Sequence, residues 1–404
     1  REEVVRDYVD FYAPYQFKDG KVPCCVDDRG SDPVPENDSH GELIFNIAEL
    51  YRYNGDKQFL AKMWPHVLGA YAYMEKLRLS ERTEANRAIN PAFYGMMPAS
   101  ISHEGYSAKP MHSYWDNFWA LRGYKDAVDV AQWLGKTEYV QRFSESRDQF
   151  REDLDASLRA AAKLHGINFL PGAAELGDFD ATSTTIALAP GGEQGRLPQD
   201  LLENTFERYW KEFVQRRDGQ REWKDYTPYE WRNVAAFVRL GWRERAWEAV
   251  EFFFKDRAPQ PWNQWAEVVS RTPRKPFFVG DLPHAWVGSD FVRSALDMFA
   301  YVREMDDSIV LAAGIPSDWL DGEGIAINDL RTPYGKLGYS LRREGDVLKL
   351  DVAEGLELPA GGLVLPWPYK TAPGKATVNG KPVEWKDGEI RILSLPASVS
   401  IQTR

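Results

Sequence analysis

The stretch His-Ser-Tyr-Trp-Asp-Asn-Phe-Trp (112–119), running on through Leu121, Val128, Val130 and Ala131 to Leu-Gly-Lys-Thr (134–137), decides how the chain is read. It opens at the end of a long polar loop (80–113), continues as a helix and stops at a glycine, which suits a left-handed C-cap and a tight hairpin. Other short links also carry glycine: Tyr-Asn-Gly-Asp (53–56), Leu-Gly-Trp-Arg (240–243) and the longer Pro-Gly-Gly-Glu-Gln-Gly (190–195). Between the hairpins lie long loops at 13–39, 80–113, 164–180, 217–228 and 258–283. Loops beyond about 12–15 residues are uncommon unless they have a task.

Short and long links in alternation suit helical hairpins set in a ring with the long loops on one face. The fold class expected is therefore mainly α, an (α/α)6 barrel. Helices follow the long loops at Glu42–Tyr53 (apolar at Leu43, Ile44, Ile47 and Leu50), Phe118–Leu134, Tyr229–Leu240 and Ala285–Tyr301, within a set of five where the ring needs six. The sixth is expected before residue 1, because the chain begins Arg-Glu-Glu-Val-Val with no Met and no signal-like stretch. We therefore expect an N-terminal remainder of a longer chain. Location stays open, with a periplasmic or secreted setting favoured.

After about residue 305 the period changes to two. Segments such as Gly-Ile-Ala-Ile-Asn-Asp-Leu (324–330), Val-Leu-Lys-Leu-Asp-Val (347–352) and Glu-Ile-Arg-Ile-Leu (389–393), with an Asn379-Gly380 turn, predict a small antiparallel β-sandwich. Residues 1–304 are thus expected to form the helical domain and 305–404 the sandwich.

With 404 residues the chain accommodates one large and one small domain, and its net charge of −11 argues against a phosphate-binding surface and so against nucleic acid. Aromatic residues make up 13%, including 15 Trp and 19 Tyr, enough to serve a ligand cleft as well as a core. No apolar run approaches the roughly 18 residues of a membrane span. The only cysteines, Cys24 and Cys25, are adjacent and provide no disulfide framework. Neither metal-ligand spacing nor a phosphate loop nor a serine elbow is present, so no metal and no cofactor is expected.

Helices that follow long loops point their positive N-termini at the loop face, where carboxylates gather: Asp38, Asp116, Asp178 with Asp180, Glu230, and Glu267 with Asp281. An aspartate before a helix is often simply an N-cap, and Asp38 and Asp180 are good cap candidates. Caps alone do not explain the aromatic flanks of Asp116 or of Glu267 in Trp-Asn-Gln-Trp-Ala-Glu-Val-Val (262–269). Rings stack on the apolar faces of sugars, and two opposed carboxylates cleave a glycosidic bond, one as acid and one as base or nucleophile.

Asn37-Asp38-Ser39-His40-Gly41-Glu42-Leu43, Tyr114-Trp115-Asp116-Asn117 and Trp265-Ala266-Glu267 together resemble the spacing in inverting (α/α)6 glycosidases of the glucoamylase and trehalase groups. That resemblance implies Asp116 as general acid and Glu267 as general base. Trp-Ala-Glu and the trailing β-domain, opening at Leu330-Arg331-Thr332-Pro333-Tyr334-Gly335, are also similar to bacterial α-L-rhamnosidases, whose acidic motif on the first inner helix would precede residue 1. Alternatives for the acid are Asp178, Asp180 and Glu104, and for the base Glu230 and Asp281.

Sugar contacts are expected from Tyr114, Trp115, Trp262, Trp265, His284, Trp286 and His40, with Asp38, Asp178, Asp180, Glu230 and Asp281 as polar partners, and His103, His112 and Arg29 as further loop candidates. Trp119 and Phe118 read as core. The expected activity is an exo-acting, inverting glycoside hydrolase with a carbohydrate substrate. A polysaccharide lyase on the same helices, or a sugar-binding scaffold without turnover, are the rival readings.

Overall fold

The computed structural model describes residues 1–403 apart from Glu104 and 273–279. Among the described residues the fold is mainly α, with a separate β region at the C-terminal end. The chain divides into two compact units, Arg1–Thr205 and Phe206–Arg404. The expected division at 304/305 falls inside the second unit.

In the first unit, α1 (Glu2–Tyr12) leads through a long loop, with the short ribbon β1 (Val26–Asp27) and β2 (Gly30–Ser31), to α2 (Ser39–Asn54). A glycine link then gives α3 (Lys57–Glu81), and the next long loop contains the short α4 (Glu84–Ile89). Next come α5 (Tyr114–Trp133), α6 (Thr137–His165), α7 (Ala181–Leu188) and α8 (Gln199–Arg217), the last running across the division. The link glycines Gly55 and Gly135 have φ of 64° and 69°, the left-handed geometry expected of them.

α5 is buried on almost every side from Tyr114 to Val128, so it shows little amphipathic contrast. α6 instead buries one stripe, Phe143, Phe150, Leu154 and Leu158, at helical spacing. α2 and α5 approach each other closely. A Cβ on Gly41 would lie 2.1 Å from the Trp119 carbonyl oxygen, and one on Gly123 would lie 2.7 Å from Gly41 Cα. Lower on the same pair, Asp126 accepts from Arg52 and, at 2.8 Å, from Arg122 Nε, so the buried carboxylate is compensated.

The second unit contains α9 (Trp231–Arg239), α10 (Arg243–Lys255) and α11 (Ala285–Phe299), with the two-residue strands β3 (Asp225–Tyr226) and β4 (Val269–Ser270) paired at the loop end. α11 runs directly into β5 (Ala300–Arg303), followed by β6 (Ser308–Leu311), β7 (Ile325–Thr332), β8 (Gly335–Glu344) and β9 (Val347–Val352). Then come β10 (Leu363–Pro366), β11 (Ala376–Val378), β12 (Lys381–Val383), β13 (Glu389–Ile392) and β14 (Ala397–Gln402). One sheet has the order β13-β10-β6-β5 and the other β12-β11-β14-β9-β8-β7.

Two features depart from the wholly antiparallel expectation. Strand pairing in these two sheets starts at Ala300, before residue 305, and β6 pairs with β10 in parallel across a connection of some fifty residues. Such a connection is long enough for the crossover that a parallel pair needs. The hairpin at Asn379-Gly380 forms as expected, with φ of 51° and 76°.

Alanine at Gly41 or Gly123 should destabilise the protein by at least about 2 kcal/mol through overpacking, read as a lowered urea midpoint. Alanine at Gly288 of α11, where an added Cβ meets nothing within 4 Å, should raise the unfolding free energy by up to about 1 kcal/mol, read as a higher midpoint.

Candidate functional site

Two carboxylate clusters lie at the loop ends of the helices, one in each unit. In the first, Asp38 occupies the N-cap position of α2 but makes no side-chain cap bond. Its Oδ2 instead accepts the Trp115 indole N–H at 2.7 Å. Asp116, in the first turn of α5, accepts the Ser100 hydroxyl on one oxygen and the Ser102 hydroxyl at 2.7 Å on the other. Ser102 and His103 are both left-handed, with φ of 40° and 38°, a strained turn that points Ser102 inward and stacks the His103 ring on Trp115 at 4.5 Å.

Both acids are buried, Asp116 to 0% and Asp38 to 4% exposure. Burial and then the charge of Asp38 push the Asp116 carboxyl well above the ordinary aspartate range. Burial also raises Asp38, against the lowering effects of the Trp115 hydrogen bond and of His103. Two like charges so close in an apolar surrounding titrate as a pair, so the cluster retains a proton that an exposed aspartate would lose.

Beside this pair, the Tyr106 hydroxyl donates to Asp178 Oδ2 at 3.1 Å, while Asp178 Oδ1 accepts the Ala173 N–H at 2.9 Å. The Tyr106 phenol is pushed up by burial and by Asp178, Asp180 and Asp116, so these carboxylates surround one hydroxyl. His112 stacks on Phe93 at 3.9 Å, and its Nδ1 lies 2.6 Å from Glu175, tying two long loops together.

In the second unit, Glu267 and Asp281 face each other across the loop: the Glu267 N–H donates to the Asp281 carbonyl at 3.0 Å, and the Asp281 N–H to Glu267 Oε2 at 3.2 Å. The Thr227 hydroxyl donates to the Glu267 carbonyl at 2.7 Å. His284 caps α11, its Nδ1 accepting the Val287 N–H at 3.3 Å while Nε2 lies 3.3 Å from the Tyr229 hydroxyl. Trp286 packs edge-on to Tyr229 at 5.4 Å and stays 40% exposed, and Trp262 is 63% exposed. The half-exposed Glu267 thus sits with exposed Asp281, and the two indoles belong to the same long loop and to the helix that follows it.

Other candidates have internal roles. Tyr114 and Trp115 are enclosed, Tyr114 by a hydroxyl contact of 2.9 Å with Ser157, so neither presents a ring face. His40 is buried, with Nδ1 accepting the Val22 N–H at 3.1 Å and its pKa pushed down to about 3 by burial and then Lys21. Glu230 is held by both Arg216 guanidinium nitrogens at 2.8 Å and by the Tyr209 hydroxyl. Trp265 packs among Trp231, Phe254 and Phe291, which explains its place in the sequence without a ligand. Asp180 is an N-cap as expected, accepting the Ser183 N–H at 2.9 Å, and Arg29 pairs with Asp27 of its own loop. Glu104 lies outside the described residues.

Sequence reasoning missed Ser100 and Ser102, since an alternating Ser-Ile-Ser in a long loop carries no chemical signature. Tyr229 was also missed as the partner of His284 and Trp286. Among the described residues no group of three His, Cys, Asp or Glu side chains is arranged to hold a metal ion, and no helix is long and apolar enough to cross a membrane.

The chain resembles two solved structures. One is an α-L-rhamnosidase from Dictyoglumus thermophilum, with TM-score 0.55 and 12% identity over 98% of this chain and 43% of that one. The other is a GH78 family rhamnosidase of Bacillus sp. GL1, with TM-score 0.54 and 12% identity over 91% of this chain and 37% of that one. The chain therefore spans about two fifths of the length of these structures, and at such identity the likeness is one of fold. No protein-family model and no curated protein matches the sequence.

Two outcomes follow from these contacts. An aspartate that holds its proton more tightly folded than unfolded stabilises most at low pH, and loses that contribution as the pH rises above the unfolded value of about 4. Unfolding free energies measured in urea from pH 4 to 8 should therefore fall less steeply for Asp116→Asn than for the wild type. Glu230→Gln strands the Arg216 charge and should cost about 3 kcal/mol in the same assay.

Proposed function

We propose that this chain is the catalytic portion of a glycoside hydrolase, exo-acting and inverting, with Asp116 as the acid and Glu267 as the base. In this proposal the helices of residues 1–304 belong to an (α/α)6 barrel, and the strands from β5 onward form a mainly antiparallel β-sandwich. Asp116 protonates the glycosidic oxygen as the bond to the anomeric carbon breaks, and Glu267 removes a proton from the water that attacks the opposite face. Trp262, Trp286, His284 and Asp281 contact the sugar from one loop cluster, and Asp178 and Asp180 from the other.

The observation that carries the proposal is the buried Asp38 and Asp116 pair, in which burial and the neighbouring charge push the Asp116 carboxyl above the range of a solvated aspartate. The likeness of fold to two α-L-rhamnosidases supports it. Because Asp116 has no exposed surface, the mechanism requires Ser100 or Ser102 to yield its hydrogen bond to the substrate. The same enclosure favours one rival, a sugar-binding domain without turnover.

Digestion of a glycan library that includes α-L-rhamnosides, with the first anomer followed by NMR, tests the proposal on the full-length protein. Asp116→Asn and Glu267→Gln should each lower turnover by about 10²–10⁴ while thermal melting shows a folded protein. Near wild-type turnover in both variants would remove the assignment. Calorimetric binding with no sugar released would establish the scaffold instead, and unsaturated products absorbing in the ultraviolet a lyase.

A further inference from the structure

A cleft of about 350 Å³ lies wholly within the second unit, away from Glu267 and His284, between the start of α10 and the strands β5, β6 and β10. Its walls include Arg239, Arg243, Tyr301, Trp367 and Tyr369, with Glu244 and Lys370 also lining it. The volume is at the small end of ligand pockets and suits one ring rather than a chain.

The charges in this cleft are unequally matched. Arg239 is paired with Asp297 at 2.9 Å, and Arg303 with Glu389 and Asp306 at 2.7 and 2.9 Å. Arg243 is only 8% exposed, yet it has no carboxylate within ion-pair distance among the described residues. Its Nε donates to the Ala313 carbonyl at 3.1 Å, while Nη1 has no hydrogen-bond partner among the described residues. Burial pushes its pKa down to about 10, partly offset by Glu244 and Tyr369, so the cation is held at a cost. The Tyr369 hydroxyl is likewise buried without a partner among the described residues.

The backbone adds to this imbalance. Arg243 is the first residue of α10, and no side chain caps that helix, so a buried cation sits at the positive end of a thirteen-residue dipole. The guanidinium Nη1, the Tyr369 phenol and a helix start without a side-chain cap are donors that an oxyanion would answer together. Trp367, fixed by its indole N–H to the Thr371 carbonyl at 2.6 Å and in edge contact with Trp385 at 5.5 Å and Tyr369 at 5.1 Å, lines the cleft beside them.

We propose that this cleft is a second ligand site, distinct from the candidate catalytic clusters, that takes a carboxylate-bearing monosaccharide, its carboxylate on Arg243, Tyr369 and the start of α10 and its ring against Trp367. The ligand class is a uronic acid, free or at the end of a glycan. Glu244 and Lys370 at the wall leave the ring hydroxyls both an acceptor and a donor.

Calorimetry on the full-length protein with glucuronate, glucose and inorganic sulfate tests the site without reference to hydrolysis, so it succeeds or fails independently of the proposed activity. Glucuronate should bind. Arg243→Met should weaken it by about tenfold or more, and Tyr369→Phe, which removes only a hydroxyl that has no partner, by several fold with an unchanged melting temperature. Glucose binding as tightly as glucuronate would overturn the carboxylate, and sulfate binding as tightly would overturn the sugar. No glucuronate binding at 20 mM, or unchanged binding in both variants, would overturn the site.

Discussion

The contact between Gly41 and Gly123 is the constraint on which the first cluster depends. Because neither residue has a side chain, α2 and α5 approach until backbone meets backbone, and their N-terminal ends come side by side. Those ends carry Asp38 and Asp116, and the Trp115 indole bridges from α5 to Asp38. The shared acidity of the pair is therefore a consequence of helix packing. A larger residue at either glycine would separate the charges before it altered either carboxylate.

The environment then determines what each acid can do. Asp116 has both oxygens bonded to serine hydroxyls, and its surroundings favour the neutral form. Glu267, in contrast, lies half-exposed, its Oε2 accepting the Asp281 N–H. An enclosed acid pushed towards its neutral form and a more accessible carboxylate are the two kinds of environment that general acid and general base catalysis ask for. Each is built from local contacts of its own loop cluster.

Link length is legible in a sequence because glycine marks a helix end through backbone geometry, and so the helices after the long loops, α2, α5, α7, α9 and α11, emerge where the alternation predicts. The strands from β7 onward are legible from their period of two. β5, β6 and the parallel pairing of β6 with β10 are not, because that pairing is decided by contacts far apart in sequence. In the site, carboxylate positions are legible, but side-chain direction is not: the aromatic flank of Asp116 reads equally as platform or core, and tertiary packing turns Tyr114 and Trp115 inward. Glu230 shows the same limit, since nothing in its local sequence announces Arg216 and Tyr209 as partners.

The unbroken passage from α11 into β5 makes the β region more than an appendage. His284 and Trp286 stand at the first turn of α11, and its far end is stitched to the sheets by the Tyr339 hydroxyl on the Phe299 carbonyl and by Arg239, which reaches both Asp297 and the Val302 carbonyl. α11 thus acts as a lever arm with its fulcrum in the sheets and its tip at the loop cluster of Glu267. A lesion among the strands, remote from any reacting group, would be felt as misalignment at that tip, so the β region works as the foundation that aims it.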